Sequence, residues 1–269
     1  MADAATTHAL ARLVDLMATL RAPGGCPWDR EQTHETLRPY LLEEAYEVLD
    51  AIDHGDAAAL CDELGDLLLQ VVFHAELARE AGTFAIADVA TAITNKLVRR
   101  HPHVFGDVAV EGAAEVLRNW QQIKASERSA LRPDGGVLAD VPRTLPSLAH
   151  AQKVGDRLAR VGFDWHGVGE VLAVLDGERA ELAQALACGD LDAARAEVGD
   201  LLLTLASVAR HLDGSAELLL RAATDRLAAR VEHIEAVAGT TGTTLEALDP
   251  PTRDRLWDEA KIAIATRRV

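Results

Sequence analysis

The sequence predicts an all-α protein built from a duplicated helical domain, and three observations carry that prediction. Apolar residues recur at intervals of three and four along most of the chain, as in Leu10, Leu13, Val14, Met17 and Leu20, and alternating strand-like runs are scarce. Aromatic residues make up 4% of the chain, and Ala and Leu fill the periodic segments, a composition that favours helices over β-branched strands. The segment from Glu63 to Leu69 (ELGDLLL) returns as Glu197 to Leu203 (EVGDLLL), 134 residues later.

The first half reads as helices over 7–21, 38–54, 57–81, 86–100 and 113–127. Pro39 falls in a first helical turn, where its missing N–H is tolerated. His54-Gly55-Asp56 supplies a stop followed by an N-cap, and Gly82 closes the third helix. From Ser129 to Ser147 the chain carries three prolines and two glycines without helical period, so 129–146 is expected to link domains at 1–128 and 147–269. Helical periodicity resumes over 147–160, 168–188, 191–212, 215–237 and 251–266. Glu44 and Glu47 match Glu178 and Glu181 at the offset of the leucine-rich segment, as Gly55-Asp56 matches Gly189-Asp190. Lys96 and Arg100 match Arg226 and Arg230 at an offset of 130, so one connection is four residues shorter in the second half.

The 269 residues are 49% hydrophobic and 26% charged, enough apolar material for packed cores and inconsistent with disorder. The net charge of −16 opposes nonspecific binding to a phosphate backbone, so no nucleic-acid partner is expected. A phosphorylated substrate would need a cation to neutralise both sides, and a divalent metal suits that task. Cys26, Cys61 and Cys188 form no CxxC pair, which argues against a disulfide framework or a zinc knuckle. With no apolar run long enough for a membrane span and no leader-like N-terminus, a soluble cytoplasmic protein is expected.

Glu43, Glu44, Glu47 and Asp50 lie three, four and seven apart on one helix, on overlapping parts of one face. Leu42, Ala45, Leu49 and Ile52 are then expected to face the bundle. Glu63 and Asp66 are three apart on the next helix, and the turn at 54–56 makes the two helices an antiparallel hairpin. Glu47 and Glu63 stand at about equal distances from that turn, so two carboxylate pairs converge. Acids packed this closely repel unless a cation lies among them, and oxygen donors suit Mg²⁺ or Mn²⁺. A solvated acidic face is the plainer reading of EExxE alone; pairing with ExxD across a matched hairpin, and repetition of the set, favour a metal site.

Lys96 and Arg100 share a face of the fourth helix and could reach phosphate oxygens, or could simply complement a helix C-terminus. Trp28, in an irregular Gly-rich segment, has two readings: a stacking surface for a nucleobase or a cap on the core. His101 and His103 read as capping or packing groups, and Cys26 as structural.

The stretches GGCPWDREQTHETLRPYLLEEAYEVLDAI, DELGDLLLQVVFHAELA and KLVRRHPHVFGDV, with DVPRTLPSLAHAQK, VGFDW, EVGDLLLTLASVARHL and RLWDEAK later on, resemble the MazG family of nucleoside triphosphate pyrophosphohydrolases. The resemblance spans nearly the whole chain. It implies an all-α homodimer that hydrolyses NTPs or dNTPs to the monophosphate and pyrophosphate with Mg²⁺. Carried over by position, it implies Glu44, Glu47, Glu63 and Asp66 as metal ligands in the first half, and Glu178, Glu181, Glu197 and Asp200 in the second. It further implies Lys96, Arg100, Arg226 and Arg230 as phosphate contacts and Trp257 as a base contact. Glu43 or Glu47 would accept the proton of attacking water. The second half departs from the pattern: Gly177 stands where Glu43 stands, Gln184 replaces Asp50 and Arg226 replaces Lys96. The first half is therefore favoured as the catalytic one. Two other readings are a noncatalytic nucleotide-sensing or partner-binding module, and a hydrolase for another pyrophosphate-containing nucleotide.

Overall fold

The computed structural model describes residues 3–131, 135–139, 141–240 and 242–266, and among them the regular elements are all helical. The chain forms two compact units, Met1–Leu131 and Arg132–Val269.

The first unit contains α1 (Ala4–Arg21), α2 (Pro27–Glu31), α3 (Arg38–His54), α4 (Ala57–Glu80), α5 (Ile86–Arg100), α6 (Pro102–Phe105) and α7 (Ala113–Leu131). The long α4 is its centre, packed against α1, α3 and α5, with α7 meeting α5. Met17, Leu37, Val72 and Phe73 form the buried cluster, flanked by Leu13, Val14, Leu20, Leu69, Leu77 and Ile86. Burial of side chains this size contributes roughly 1.5–3 kcal/mol each, enough to fix α1 along α4. Arg21 anchors the same junction: Nε and Nη2 each donate to the Glu80 carboxylate at 2.8 Å.

The second unit contains α8 (Ser147–Ala159), α9 (Val168–Cys188), α10 (Leu191–His211), α11 (Ala216–Thr240), a 3₁₀ turn at Leu245–Ala247 and α12 (Pro250–Thr266). The packing scheme repeats: α10 packs against α8, α9 and α11, and α12 meets α11. Small residues, Ala206, Ala209 and Ala216, fill the α8–α10–α11 junction. Ile234, Ala238, Leu248, Leu256 and Ala260 form a second cluster between α11 and α12.

The same turn chemistry makes both central hairpins. Gly55 ends α3 in the left-handed region at φ 69°, and Gly189 ends α9 at φ 73°, a conformation that disfavours a side chain. Asp56 then accepts from Ala58 and Ala59 N–H, and Asp190 from Ala193 N–H, starting α4 and α10.

Some expectations need correction. α1 begins at Ala4, three residues before the expected start at 7, because Asp3 accepts from Thr6 N–H at 2.7 Å. α2 and α6 each start with proline in the first turn, so segments that look irregular contain short helices. α7 continues through Leu131 into the expected linker; residues 132–134 and 140 of that linker lie outside the described residues. On α3 the inward face is only partly the one expected: of the four apolar residues, Ala45 and Leu49 are half-buried. Val48 and Ala51 are buried, whereas Leu42 and Ile52 are exposed. Glu44 lies one turn before Val48, so the acid sits on the packed face rather than opposite to it.

Candidate metal centre and its basic partners

Each central hairpin brings three carboxylates together. Glu44 from α3 meets Glu63 and Asp66 from α4, and Glu178 from α9 meets Glu197 and Asp200 from α10. Within each set, one carboxylate oxygen per residue lies within 4.8 Å of the others. In both sets the two glutamates are half-buried and the aspartate is exposed. The hairpin dictates this: matched αL turns fix the register, and the i, i+3 spacing puts both acids of the second helix on one face.

Glu47 and Glu181 stand beside these triads rather than within them. The charge of Glu47 acts on both Glu44 and Glu63. Glu181 acts in the same way on Glu197. Glu43 is exposed and adds a weaker repulsion on Glu44.

Burial, then the charges of Asp66 and Glu47, push the Glu44 carboxyl above the ordinary carboxylate range. Glu63 is raised by burial and by Glu47, and Glu197 by burial and by Glu181 and Glu178. Each hairpin thus concentrates negative charge where solvent screens it incompletely. Glu197 Oε2 is buried without a hydrogen-bond partner. The all-oxygen donor set of each hairpin, with its oxygens within 4.8 Å of one another, and in the second the buried unpartnered oxygen of Glu197, fit a hard divalent cation.

The basic residues occupy the next helices. Lys96 on α5 is exposed, and Arg226 on α11 is half-buried. Arg100 is largely buried and held: its Nε and Nη2 donate to Glu127 Oε2 of α7 at 3.0 and 2.5 Å, while Arg99 Nε donates to Oε1 at 2.6 Å. The two arginines hold the Glu127 carboxyl below its usual range, Arg100 more strongly than Arg99. The Arg100 guanidinium also lies 5.5 Å from the Trp120 ring, whose centroid is 4.7 Å from Lys124 Nζ.

The second unit repeats this aromatic arrangement. Arg230 lies 5.4 Å from the Trp257 ring and Lys261 5.9 Å from it. Trp120-Lys124 and Trp257-Lys261 share the pattern RxWxxxK, at 118–124 and 255–261. That repeated pattern is legible in the sequence, and it makes Trp120 the counterpart of Trp257. Trp257 is half-buried and packs on the α11–α12 core. Trp28 is exposed and meets Tyr40 edge-on at 5.8 Å, so it does not cap the core. His101 Nδ1 lies 2.7 Å from Leu97 O at the end of α5, a capping role. The stacked pair His34–His74, with Nδ1 atoms 2.8 Å apart, carried no signal in the sequence because its members are 40 residues apart.

Residues 32–105 match the MazG nucleotide pyrophosphohydrolase domain. Over 253 residues the chain is 44% identical to the nucleoside triphosphate pyrophosphohydrolase of Escherichia coli (strain K12), an alignment covering 93% of this chain and 96% of that protein. Over 249 residues it is 39% identical to the nucleoside triphosphate pyrophosphohydrolase/pyrophosphatase MazG of Thermotoga maritima, covering 93% and 94%. Near-complete alignment in both directions, over a helical chain that presents its acids on matched hairpins, carries one conclusion: this chain belongs to the MazG family of nucleoside triphosphate pyrophosphohydrolases.

Proposed function

We propose that the chain hydrolyses nucleoside triphosphates, ribo or deoxyribo, to the monophosphate and pyrophosphate, with Mg²⁺ as the metal and Mn²⁺ as a substitute. The observation that carries this reading is the convergence of Glu44, Glu63 and Asp66, repeated by Glu178, Glu197 and Asp200. Both triads are read as metal ligands, with Glu47 and Glu181 completing them. When bound, the metal neutralises triphosphate charge and eases deprotonation of water. Glu47, set beside the triad, is the nearer candidate to accept a water proton, and Glu43 the outer one. Lys96, Arg100, Arg226 and Arg230 supply cations for phosphate oxygens, and Trp257 an aromatic surface for the base.

The units are read as duplicated domains at 1–128 and 147–269. Leu64, Leu68 and Val71 on α4 and Leu41 and Leu42 on α3 are exposed apolar residues, which supports a homodimer. Among the described residues no helix is long and apolar enough to cross a membrane. With the charge of −16, that supports a cytoplasmic enzyme without a nucleic-acid partner.

The test is product analysis on a panel of NTPs and dNTPs with Mg²⁺, Mn²⁺ or EDTA. Equal amounts of monophosphate and pyrophosphate, abolished by EDTA, are expected. Nucleotide binding without either product would favour a sensor, and turnover restricted to another pyrophosphate compound would move the substrate assignment.

A further inference from the structure

The two units differ at one place that bears on phosphate binding. In the first, Glu127 engages Arg99 through one carboxylate oxygen and both Nε and Nη2 of Arg100 through the other. The side chains of Arg100 and Glu127 are 14% and 17% exposed, so water screens this pairing poorly. In the second unit, the register set by Trp120/Trp257 and Lys124/Lys261 puts Ile264 in the place of Glu127. The register set by Arg100/Arg230 puts Ala229 in the place of Arg99. Both members of the added ion pair are therefore missing together. Arg230 keeps its place over the Trp257 ring, but its buried Nε has no hydrogen-bond partner.

A guanidinium binds phosphate through the same forked N–H edge that binds a carboxylate. The edge of Arg100 formed by Nε and Nη2 is filled by Glu127; the corresponding Nε of Arg230 is not filled. We propose that Glu127 is an internal anion that competes with nucleotide phosphate for Arg99 and Arg100, whereas Arg230 of the second unit meets no such competitor and its Nε is unpartnered. This rests on the reading of the α5 and α11 cations as phosphate contacts, and it places tight nucleotide binding in the second unit rather than in the half that Glu43 favours as catalytic. A triphosphate reaching the first unit must displace a carboxylate already held by three hydrogen bonds, and its affinity there is reduced accordingly.

The experiment is calorimetric titration of the full chain with α,β-methylene-ATP and Mg²⁺, with stoichiometry counted per chain. Wild type is expected to bind one equivalent tightly and Glu127→Gln two, with affinity in the first unit raised at least about tenfold, as loss of a charge-assisted contact to a competitor implies. The paired variant Arg99→Ala/Glu127→Ile, which copies the second unit, is expected to bind two equivalents as well. It serves if Glu127→Gln fails to fold. Adding Arg230→Ala to Glu127→Gln is expected to return the count to one.

If wild type and both variants bind one equivalent, the competition is refuted while the phosphate reading stands. Weaker binding in the variants would make Glu127 a support for Arg100 and overturn the proposal. Two tight equivalents in wild type would also overturn it. If wild type binds none and Glu127→Gln binds one, the competition holds and the second unit's phosphate role falls. If no protein binds, both fall.

Discussion

Glu44 and Val48 lie one turn apart on the inward side of α3, so a carboxylate and a core side chain share one packed face. The same holds on α9, where half-buried Glu178 is two turns from Val171, which is fully buried. The acids are thus built into the hairpins, where a cation relieves their repulsion, and this placement has consequences for stability as well as chemistry.

The first concerns metal-free protein. Burial and neighbouring acids raise the Glu44, Glu63 and Glu197 carboxyls. For a group raised on folding, its contribution to stability is present below its unfolded pKa and is lost as pH rises through its folded pKa. In EDTA, the melting temperature of wild type is expected to fall from pH 5 to pH 7 relative to Glu44→Gln/Glu178→Gln. Mg²⁺ should restore it at pH 7 in wild type alone. Parallel melting curves for the two proteins would count against the placement.

Asp164 behaves in the opposite sense. Arg210 on α10 donates to both of its oxygens, Nη1 to Oδ2 at 2.8 Å, and holds the carboxyl below its ordinary value. A lowered carboxyl contributes stability above its unfolded pKa and loses it as pH falls through its folded pKa. At pH 6, Asp164→Asn is expected to be less stable than wild type by about 1–2 kcal/mol, the two side chains being only partly screened. Urea melts should show that gap closing below about pH 4, the lower edge of the carboxylate range. A gap independent of pH would mean that the asparagine disrupts packing rather than charge.

Arg21 ties α1 to α4. Its side chain is 7% exposed, pairs with Glu80, donates to Asp29 O and lies 5.5 Å from the Phe73 ring. Arg21→Ala should cost about 2–4 kcal/mol, because it leaves Glu80 and the Asp29 carbonyl short of partners and removes packing. Arg21→Lys should recover part of that by keeping the charge. Chemical denaturation measures both; equal losses would show that the fork and not the charge matters.

Gly177 is inside α9, and a Cβ built there would meet no atom within 4 Å. Gly177→Ala is therefore expected to stabilise the chain by about 1 kcal/mol, the helix-propensity difference. A lower melting temperature would reveal a contact to this position from outside the chain.

Much of the helical architecture was legible because Leu and Ala periodicity, Gly55, Gly189 and their following aspartates each determine structure locally. The carboxylate hairpins were legible for the same reason, since residues on either side of one tight turn share a register. What escaped depends on distant contacts. The inward face of α3 could not be told from its period, because Leu42 and Ile52 are as apolar as Val48 and only α4 decides which side is covered. The clamp of Arg99 and Arg100 by Glu127 joins residues 27 and 28 positions apart, across a helix boundary without a fixed turn register. Trp120 is legible in retrospect only through the RxWxxxK pattern that repeats at 118–124 and 255–261, since nothing local marks it as a neighbour of Arg100.

The measurement that bears hardest on the carboxylate reading is Mg²⁺-dependent release of pyrophosphate and monophosphate from NTPs by wild type, Glu44→Gln, Glu178→Gln and the double variant. Removal of one acid from each triad should reduce release by the double variant by at least about a hundredfold, since charge neutralisation of the triphosphate is lost with the metal. The single variants then assign turnover to one unit or to both. Release at the wild-type rate from a folded double variant would contradict the assignment of these carboxylates to metal and substrate.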